Sequence, residues 1–579
     1  MKHSTGIHCF ALLLEKLDLP FPGSSASREA FGRPINRFSS SEQSLKLSRD
    51  WLHSCLMTHD ICPKPNGKFM PTRLIAISNV GSSDYLILLE CSDPEPYAAL
   101  SYCWGNKKQV TTTSTNLQRH KSFLSFKDLP ATVKDAITVV SKMGIRRLWI
   151  DCLCIIQDDD DDKAREIAKM PLIYSQATVT IAASNSKSVH EGFLRDRTPR
   201  QYFQLPYLCL DGKAGSVTLR RGKYEEHKQP LESRGWAFQE RLLSPRILDY
   251  RSHHTEWVCH ENKGARRLTD GNFEFTLSPL FSDDFEIFSD ALLKGDTPSG
   301  KSTSSSEGKD NIDKYFQLWY KLVTTYTLRQ LTIPSDRILA ISAIANRFQP
   351  LLNDKYCAGH WKSRLDKELL WRVPFQESGL KQRPSEYQAP SWSWASISAP
   401  IDTELFAGET RLDKRREQRD DCFKILDCQI QLRSEEESNK STEVHQFGAV
   451  ISGALVAIGR VQQGELVWPG DKVRKYDQNG ESGGATLKST WVWRDAIEEE
   501  LAKVHGFIPI FLLRVAQSPF HTALILRQKG PSVYSRLGIV NFTFENIPPR
   551  FSFGPGGRDV FQEELRWLDA GEVRTITIV

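Results

Sequence analysis

The stretch LWIDCLCIIQDD, residues 148–159, decides how this chain reads. Leu148–Ile156 is a continuous apolar run interrupted by Asp151 and bounded by charges, which predicts a strand covered on both faces. Upstream, Ala131–Met143 places Val133, Ile137 and Val140 at helical spacing, with Gly144 following as a C-terminal cap. Tyr97–Tyr102 is a short apolar run before that. Downstream, the acidic run Asp158–Asp162 leads into a helical stretch to about Ala177, where Pro171 is expected to kink or shorten the helix. Val179–Ala183 is a further β-type run. Strand, helix, strand, helix, strand is the signature of an α/β fold built on a parallel sheet.

The rest of the 579-residue chain divides around this core. Residues 1–50 are Ser-rich and weakly patterned and read as a mobile N-terminal extension. Residues 51–96 hold a helical start and two strand-like runs, Arg73–Ile77 and Tyr85–Leu89; residues 201–260 are strand-rich around a helix at Ala237–Leu243. Residues 282–313 form a low-complexity linker. Residues 314–400 are a helical segment, with Tyr315–Leu328, Pro334–Phe348 and Ser363–Trp371 as helices, ending in a Trp-rich motif. Residues 401–445 are a charged loop, and 446–579 are a β-rich region with one helix at Trp493–Val504.

Composition excludes several classes of function. With 76 Lys and Arg against 71 Asp and Glu, the net charge of +5 is no basic footprint, so no nucleic-acid partner is expected. No apolar run approaches the roughly 18 residues of a membrane helix. Ile7–Leu14 is too short, and too quickly followed by Glu15, Lys16 and Asp18, to favour a signal peptide. The twelve cysteines are scattered, with Cys103, Cys152 and Cys154 inside apolar runs, which points to reduced thiols and a cytoplasmic protein.

Several motifs invite chemistry. Gly295-x4-Gly300-Lys301-Ser302 has the letters of a phosphate-binding loop without the flanking strand and helix it needs. Cys55-x3-His59-x2-Cys62 offers three zinc-type ligands, but tetrahedral zinc wants four; Cys91 is only a guess, and packing is favoured, so no metal is assigned. Asp158–Asp162 reads as a solvated loop rather than a cation site. Asp151 is costly inside an apolar strand unless paired, and is either a ligand-binding carboxylate at a strand end or a structural partner of an arginine. In Arg234–Arg241, Gly235 can adopt unusual backbone shapes, Trp236 and Phe238 can wall a pocket, and Glu240 can serve as acid or base. The plainer reading is an aromatic anchor with Arg–Glu pairing at a helix start. Pro390–Ser396 alternates Ser and Trp as a strand would, with both Trp side chains in the core. Nucleophile-elbow, His-Glu-x-x-His and Gly-x-Gly-x-x-Gly motifs do not occur.

Three blocks together resemble the fungal heterokaryon-incompatibility (HET) domain family: YAALSYCWG at 97–105, LWIDCLCIIQDD at 148–159 continuing to TIAAS at 180–184, and RGWAFQERLLSPRIL at 234–248 followed by Glu256–Cys259. Cys55–Cys62, PTRLI at 71–75 and APSWSWAS at 389–396 resemble the surroundings of that domain in long fungal proteins. The sequence departs from the family at Lys163, near which a Trp is usual, and at Ala237 and Phe238, where Thr and Leu are common. On this resemblance the HET domain spans 51–260, with its core motifs in 97–248.

The resemblance implies a TIR-like, flavodoxin-like parallel sheet and an intracellular role in fungal allorecognition and programmed cell death, through self-association or a protein partner. It leaves open a second reading, an enzyme that cleaves a nucleotide such as NAD, for which Asp151 and Glu240 are the catalytic candidates. Arg234, Gly235, Trp236, Tyr102, Trp104 and Gln157, all within the three blocks, are the binding candidates. No resident cofactor is expected. Convergence of Asp151, Glu240, Arg234 and Trp236 on one crevice would favour the enzyme; carboxylates closed off against structural arginines would favour the interaction module.

Overall fold

A computed structural model describes residues 15–16, 36–261, 268–270, 305–374, 381–403, 422–433, 448–542 and 557–579, with short gaps at 66, 79–84, 92, 198–201, 209–211, 213, 221–227, 469–471, 477–483, 499–505 and 517–520. The chain forms two compact units, Met1–Ser289 and Asp290–Val579. The helical segment and the β-rich region share the second unit.

The first unit contains, in chain order, β1 (Glu15–Lys16), α1 (Glu42–Thr58), β2 (Arg73–Ile77), β3 (Tyr85–Glu90), β4 (Ala98–Ser101), α2 (Leu117–Ser122), β5 (Leu124–Ser125), α3 (Ala131–Lys142), β6 (Arg147–Trp149), α4 (Asp151–Cys154), α5 (Asp160–Gln176), β7 (Val179–Ala182), β8 (Tyr202–Leu208), β9 (Ala214–Arg220), α6 (Gly235–Leu243), β10 (Arg246–Tyr250), β11 (Thr255–Cys259) and β12 (Leu268–Thr269). Nine strands make one sheet in the order β12-β11-β10-β7-β4-β6-β2-β3-β5. Its centre is parallel: β10 with β7, β7 with β4, and β4 with β6. Every residue of β4, β7 and β10 is buried, as expected of strands covered on both faces. Antiparallel strands extend the sheet on both sides.

The four parallel strands occur across the sheet in the order fourth, third, first, second. The chain leaves β4 towards β6 on one side and then crosses to β7 on the other. The strand order therefore reverses between β4 and β7, and in open α/β sheets the crevice outside the carboxyl ends at such a reversal is the usual ligand site.

Local chemistry explains where the sequence reading and the structure part. Part of the stretch read as an N-terminal extension is helical: α1 starts at Glu42, capped by Ser41, whose hydroxyl accepts from the Ser44 amide at 3.2 Å. Leu148–Ile156 is not one strand. β6 stops at Trp149, and the chain turns into the single-turn helix α4, with the Cys152 amide donating to Asp151 Oδ1 at 2.7 Å. Apolar character does not separate a buried strand from a buried helical turn; a carboxylate able to satisfy an amide at the start of that turn does. The acidic run is a helix start. Asp159 caps α5, and Asp160–Asp162 occupy its first turn, where the helix dipole favours negative charge. Asp162 is buried: it accepts from the Ile156 amide at 2.9 Å and pairs with the equally buried Arg73 of β2. The helix continues through Pro171 to Gln176. Gly144 closes α3 with a φ of 83°, in the left-handed region where glycine is unstrained.

The second unit contains α7 (Ser305–Thr327), α8 (Leu339–Leu352), β13 (Tyr356–Cys357), β14 (His360–Trp361), α9 (Leu365–Glu368), β15 (Lys424–Leu432), β16 (Val450–Trp468), β17 (Lys472–Lys475), β18 (Thr490–Arg494), β19 (Gly506–Ala516), β20 (His521–Gly530), β21 (Val533–Phe542), α10 (Gly557–Asp569) and β22 (Glu572–Ile578). α7 begins within the stretch read as a linker, and β15 within the stretch read as a charged loop. β16, β19, β20, β21 and β22 close into a ring, because β22 pairs with both β16 and β21. The buried Arg536 of β21 pairs with Asp495, donates to the carbonyls of Leu369 and Trp371 at 2.6 Å, and lies over the Trp371 ring.

The Trp-rich motif is not a strand but a turn leading into a short 3-10 helix, Trp394–Ser396. Ser393 takes its own backbone out of strand geometry by accepting from the Ala395 amide at 3.0 Å. Trp392 and Trp394 are both in the core, as expected. Trp493 lies in β18 rather than a helix, and 499–505 fall outside the described residues. The phosphate-loop pattern at 295–302 lies outside them too.

Arg73→Met leaves the Asp162 carboxylate buried without its main countercharge, since Arg165 remains only at 3.5 Å. The expected loss is about 3–5 kcal/mol of unfolding free energy, read from the urea denaturation of the full chain.

Candidate active site at the carboxyl edge of the parallel sheet

Three segments bring charged and aromatic side chains to the carboxyl ends of the central strands. Ser101 ends β4, followed by Tyr102 and Trp104. Asp151 follows β6 and opens α4. Arg234 precedes α6, the helix connecting β7 to β10, and Glu240 lies on its second turn. The sharp turn after Trp104 is made by Gly105, whose φ of 76° and closeness to Ser188 leave no room for a side chain.

Asp151 accepts three hydrogen bonds: from Tyr102 Oη at 2.8 Å, Trp104 Nε1 at 2.7 Å and the Cys152 amide at 2.7 Å. Burial raises its pKa above the ordinary carboxylate range, while the positive charge of Arg234 and the Tyr102 and Trp104 donors oppose the rise. Asp151 keeps partial solvent exposure. Glu240 is buried and accepts a short hydrogen bond from the Ser101 hydroxyl. Burial pushes its carboxyl up to about 7 against the pull of Arg234 and Ser101, and the charge of Asp151 adds to the rise. Arg234 donates to the Tyr102 carbonyl and acts on both carboxylates. Tyr174 of α5 donates to the Leu100 carbonyl at 3.1 Å and also interacts with Glu240.

The structure thus brings Asp151, Glu240, Arg234, Tyr102 and Trp104 together. Trp236, one turn from Glu240 on α6, is partly exposed. Gly235 is an ordinary buried first residue of α6, without the unusual backbone shape considered for it. Gln157 supports the site: its side-chain amide donates to the carbonyls of Asp151 and Ile155 at 3.1 and 3.2 Å, holding the turn that carries Asp151. Two members were not singled out from the sequence, Ser101 and Tyr174. Ser101 was visible as a hydroxyl closing an otherwise apolar strand, which needs a partner when buried. Tyr174 carried no such signal, because only the packing of α5 directs it towards Glu240.

Two interacting carboxylates, one of them held near neutrality, and a shared guanidinium are a chemistry suited to proton transfer and to binding a polar ligand. Among the described residues, a separate group able to hold a metal ion is formed by Cys55, His59, Cys62 and Cys259. A cavity of about 720 Å³ lies in the second unit, beside Arg383, Tyr387, Ser391 and Gln431, and includes none of the candidate residues. No helix among the described residues is long and apolar enough to cross a membrane.

Residues 97–240, from Tyr97 just before β4 to Glu240 itself, match the family described as Heterokaryon incompatibility protein (HET). Residues 97–240 of the chain are a HET domain. It is similar to Heterokaryon incompatibility protein 6, OR allele, of Neurospora crassa, with 30% identity over 94 residues. That match spans 15% of this chain and 14% of the relative. No solved structure matches the chain.

The raised pKa of Glu240 has a consequence for stability. Its folded value of about 7 exceeds the model-compound 4.5, so the folded state binds the proton more tightly. The contribution is fully present below about pH 4.5 and is lost as pH rises to about 7, a loss of roughly 3 kcal/mol. Glu240→Gln is expected to flatten this part of the profile, measured as urea unfolding free energy against pH for both proteins.

Proposed function

We propose that this chain acts in fungal allorecognition, and that its HET domain is the part that brings about programmed cell death. The observation that carries the reading is the HET match over residues 97–240, which includes the four-residue cluster of Asp151, Arg234, Glu240 and Tyr102. The similarity to a curated incompatibility protein supports it, over the limited span that the two share. On this reading the chain is a cytoplasmic protein, and death follows from self-association or from engagement of a protein partner. The central strand order, second-first-third-fourth, supports a flavodoxin-like and therefore TIR-like core.

One observation favours a second reading, that the domain hydrolyses a nucleotide such as NAD. The charge of Asp151 acts on Glu240, whose carboxyl is raised to about 7, and Arg234 acts on both. Cleavage of a glycosidic bond needs a group that can donate or accept a proton and a carboxylate that stabilises an oxocarbenium-like centre. Glu240 would supply the first and Asp151 the second. Arg234 would bind a phosphate, and Trp104 and Trp236 would contact a base.

Induced expression of the full chain in hyphae tests both readings. Wild type is compared with Glu240→Gln and Asp151→Asn, with NAD measured before viability falls and protein levels followed in parallel. Hyphal death is the expected outcome for wild type, and its absence removes the death-effector reading. If NAD falls with wild type, and folded, abundant Glu240→Gln slows that fall by about 100-fold, the hydrolase reading stands. Death with steady NAD overturns it and leaves assembly as the route.

A further inference from the structure

Cys55 lies in the last turn of α1, His59 directly follows that helix, Cys62 lies in the loop beyond it, and Cys259 ends β11. The three sulfurs and one ring nitrogen all lie within 4.8 Å of one another. The three cysteines are buried, with relative exposures of 0%, 1% and 2%, and His59 forms the partly exposed side of the group. The fourth member is Cys259, 200 residues from His59 in sequence; Cys91 is not part of the group.

The spacing is that of a coordination shell. Zinc–sulfur bonds of about 2.3 Å and zinc–nitrogen bonds of about 2.0–2.1 Å at tetrahedral angles place sulfur and nitrogen roughly 3.5–3.6 Å apart. His59 Nδ1 lies 3.6 Å from Cys62 Sγ and 3.5 Å from Cys259 Sγ. Charge fits as well. Three thiolates and a neutral imidazole around a divalent cation leave one net negative charge, and Arg246 Nε donates to Cys55 Sγ at 3.1 Å. Arg246 is itself buried and held by the Pro63 and Thr178 carbonyls, as an outer-sphere donor should be. The loop between the ligands is drawn onto α1 by Lys64, whose ammonium donates to the carbonyls of Leu56 and His59 at 2.5 and 2.9 Å.

We propose that Cys55, His59, Cys62 and Cys259 bind one structural zinc ion. Four protein ligands close the shell, so the ion has no open position for catalysis. It clamps the end of α1 to β11, which pairs with β10, the strand that follows α6. A segment preceding the HET match is thereby tied to the sheet whose strand β10 follows the helix that carries Glu240.

The test uses the full chain purified without chelator. Elemental mass spectrometry is expected to find about one zinc per chain. The cobalt-exchanged protein is expected to show tetrahedral d–d bands and thiolate-to-cobalt charge transfer. Cys259→Ser is expected to lose most of the metal, whereas Cys91→Ser retains it. Alkylation mapping is expected to find Cys55, Cys62 and Cys259 protected until a strong chelator is added. If Cys259→Ser does not fold, the cobalt spectrum and the alkylation map of the wild type decide the matter. A folded wild-type chain that takes up no zinc or cobalt overturns the proposal, as does a disulfide among the three cysteines or a cobalt spectrum without thiolate bands.

Discussion

Arg234 places one positive charge beside two acids, Asp151 and Glu240, at the carboxyl ends of the parallel strands, and the segments that meet there must satisfy all three. Two ionised carboxylates and one guanidinium would leave a net negative charge in a poorly solvated place. Burial raises both carboxyls: Asp151 receives three donors that oppose its rise, and Glu240 rises to about 7. The same cluster can therefore be read as structure or as chemistry, because the features that make it stable also keep a proton available near neutrality.

The position of the cluster depends on topology more than on any single contact. β4, β6 and the β7–α6 connection all deliver their ends to the same edge because the four strands run parallel. The strand order reverses between β4 and β7, the place where open α/β sheets usually bind ligands. Buried ion pairs fix the surroundings: Arg73 with Asp162 sets the turn after α4, and Arg241 and Arg251 share Asp249 of β10. Such pairs specify one arrangement, since a slipped strand would leave a charge buried alone.

Much of this was legible from residue patterns. The β–α alternation through 97–183, the end of α3 at Gly144 and the helix at Ala237–Leu243 all follow from periodicity and caps. The structure departs from those patterns where a polar side chain redirects the backbone. Asp151 turned an apolar run into a helical turn, Asp159 turned an acidic run into a helix start, and Ser393 turned an alternating Ser–Trp pattern into a 3-10 helix. Side-chain hydrogen bonds to main-chain groups compete with regular structure at single positions, and a pattern averaged over several residues does not register them.

The sequence by itself determined the class of fold, the HET motifs and the chemical candidates Asp151, Arg234 and Glu240, because strand burial, helix periodicity and an unpaired-looking charge are local properties. Tertiary structure decided which candidates meet. Glu240 lies 139 residues from the Ser101 hydroxyl it accepts from, and Cys259 lies 200 residues from the His59 ring beside it. No spacing rule spans such separations. Those neighbours are chosen by strand order and by the demand that each buried charge and donor find a partner, and both are settled only when the whole sheet has formed.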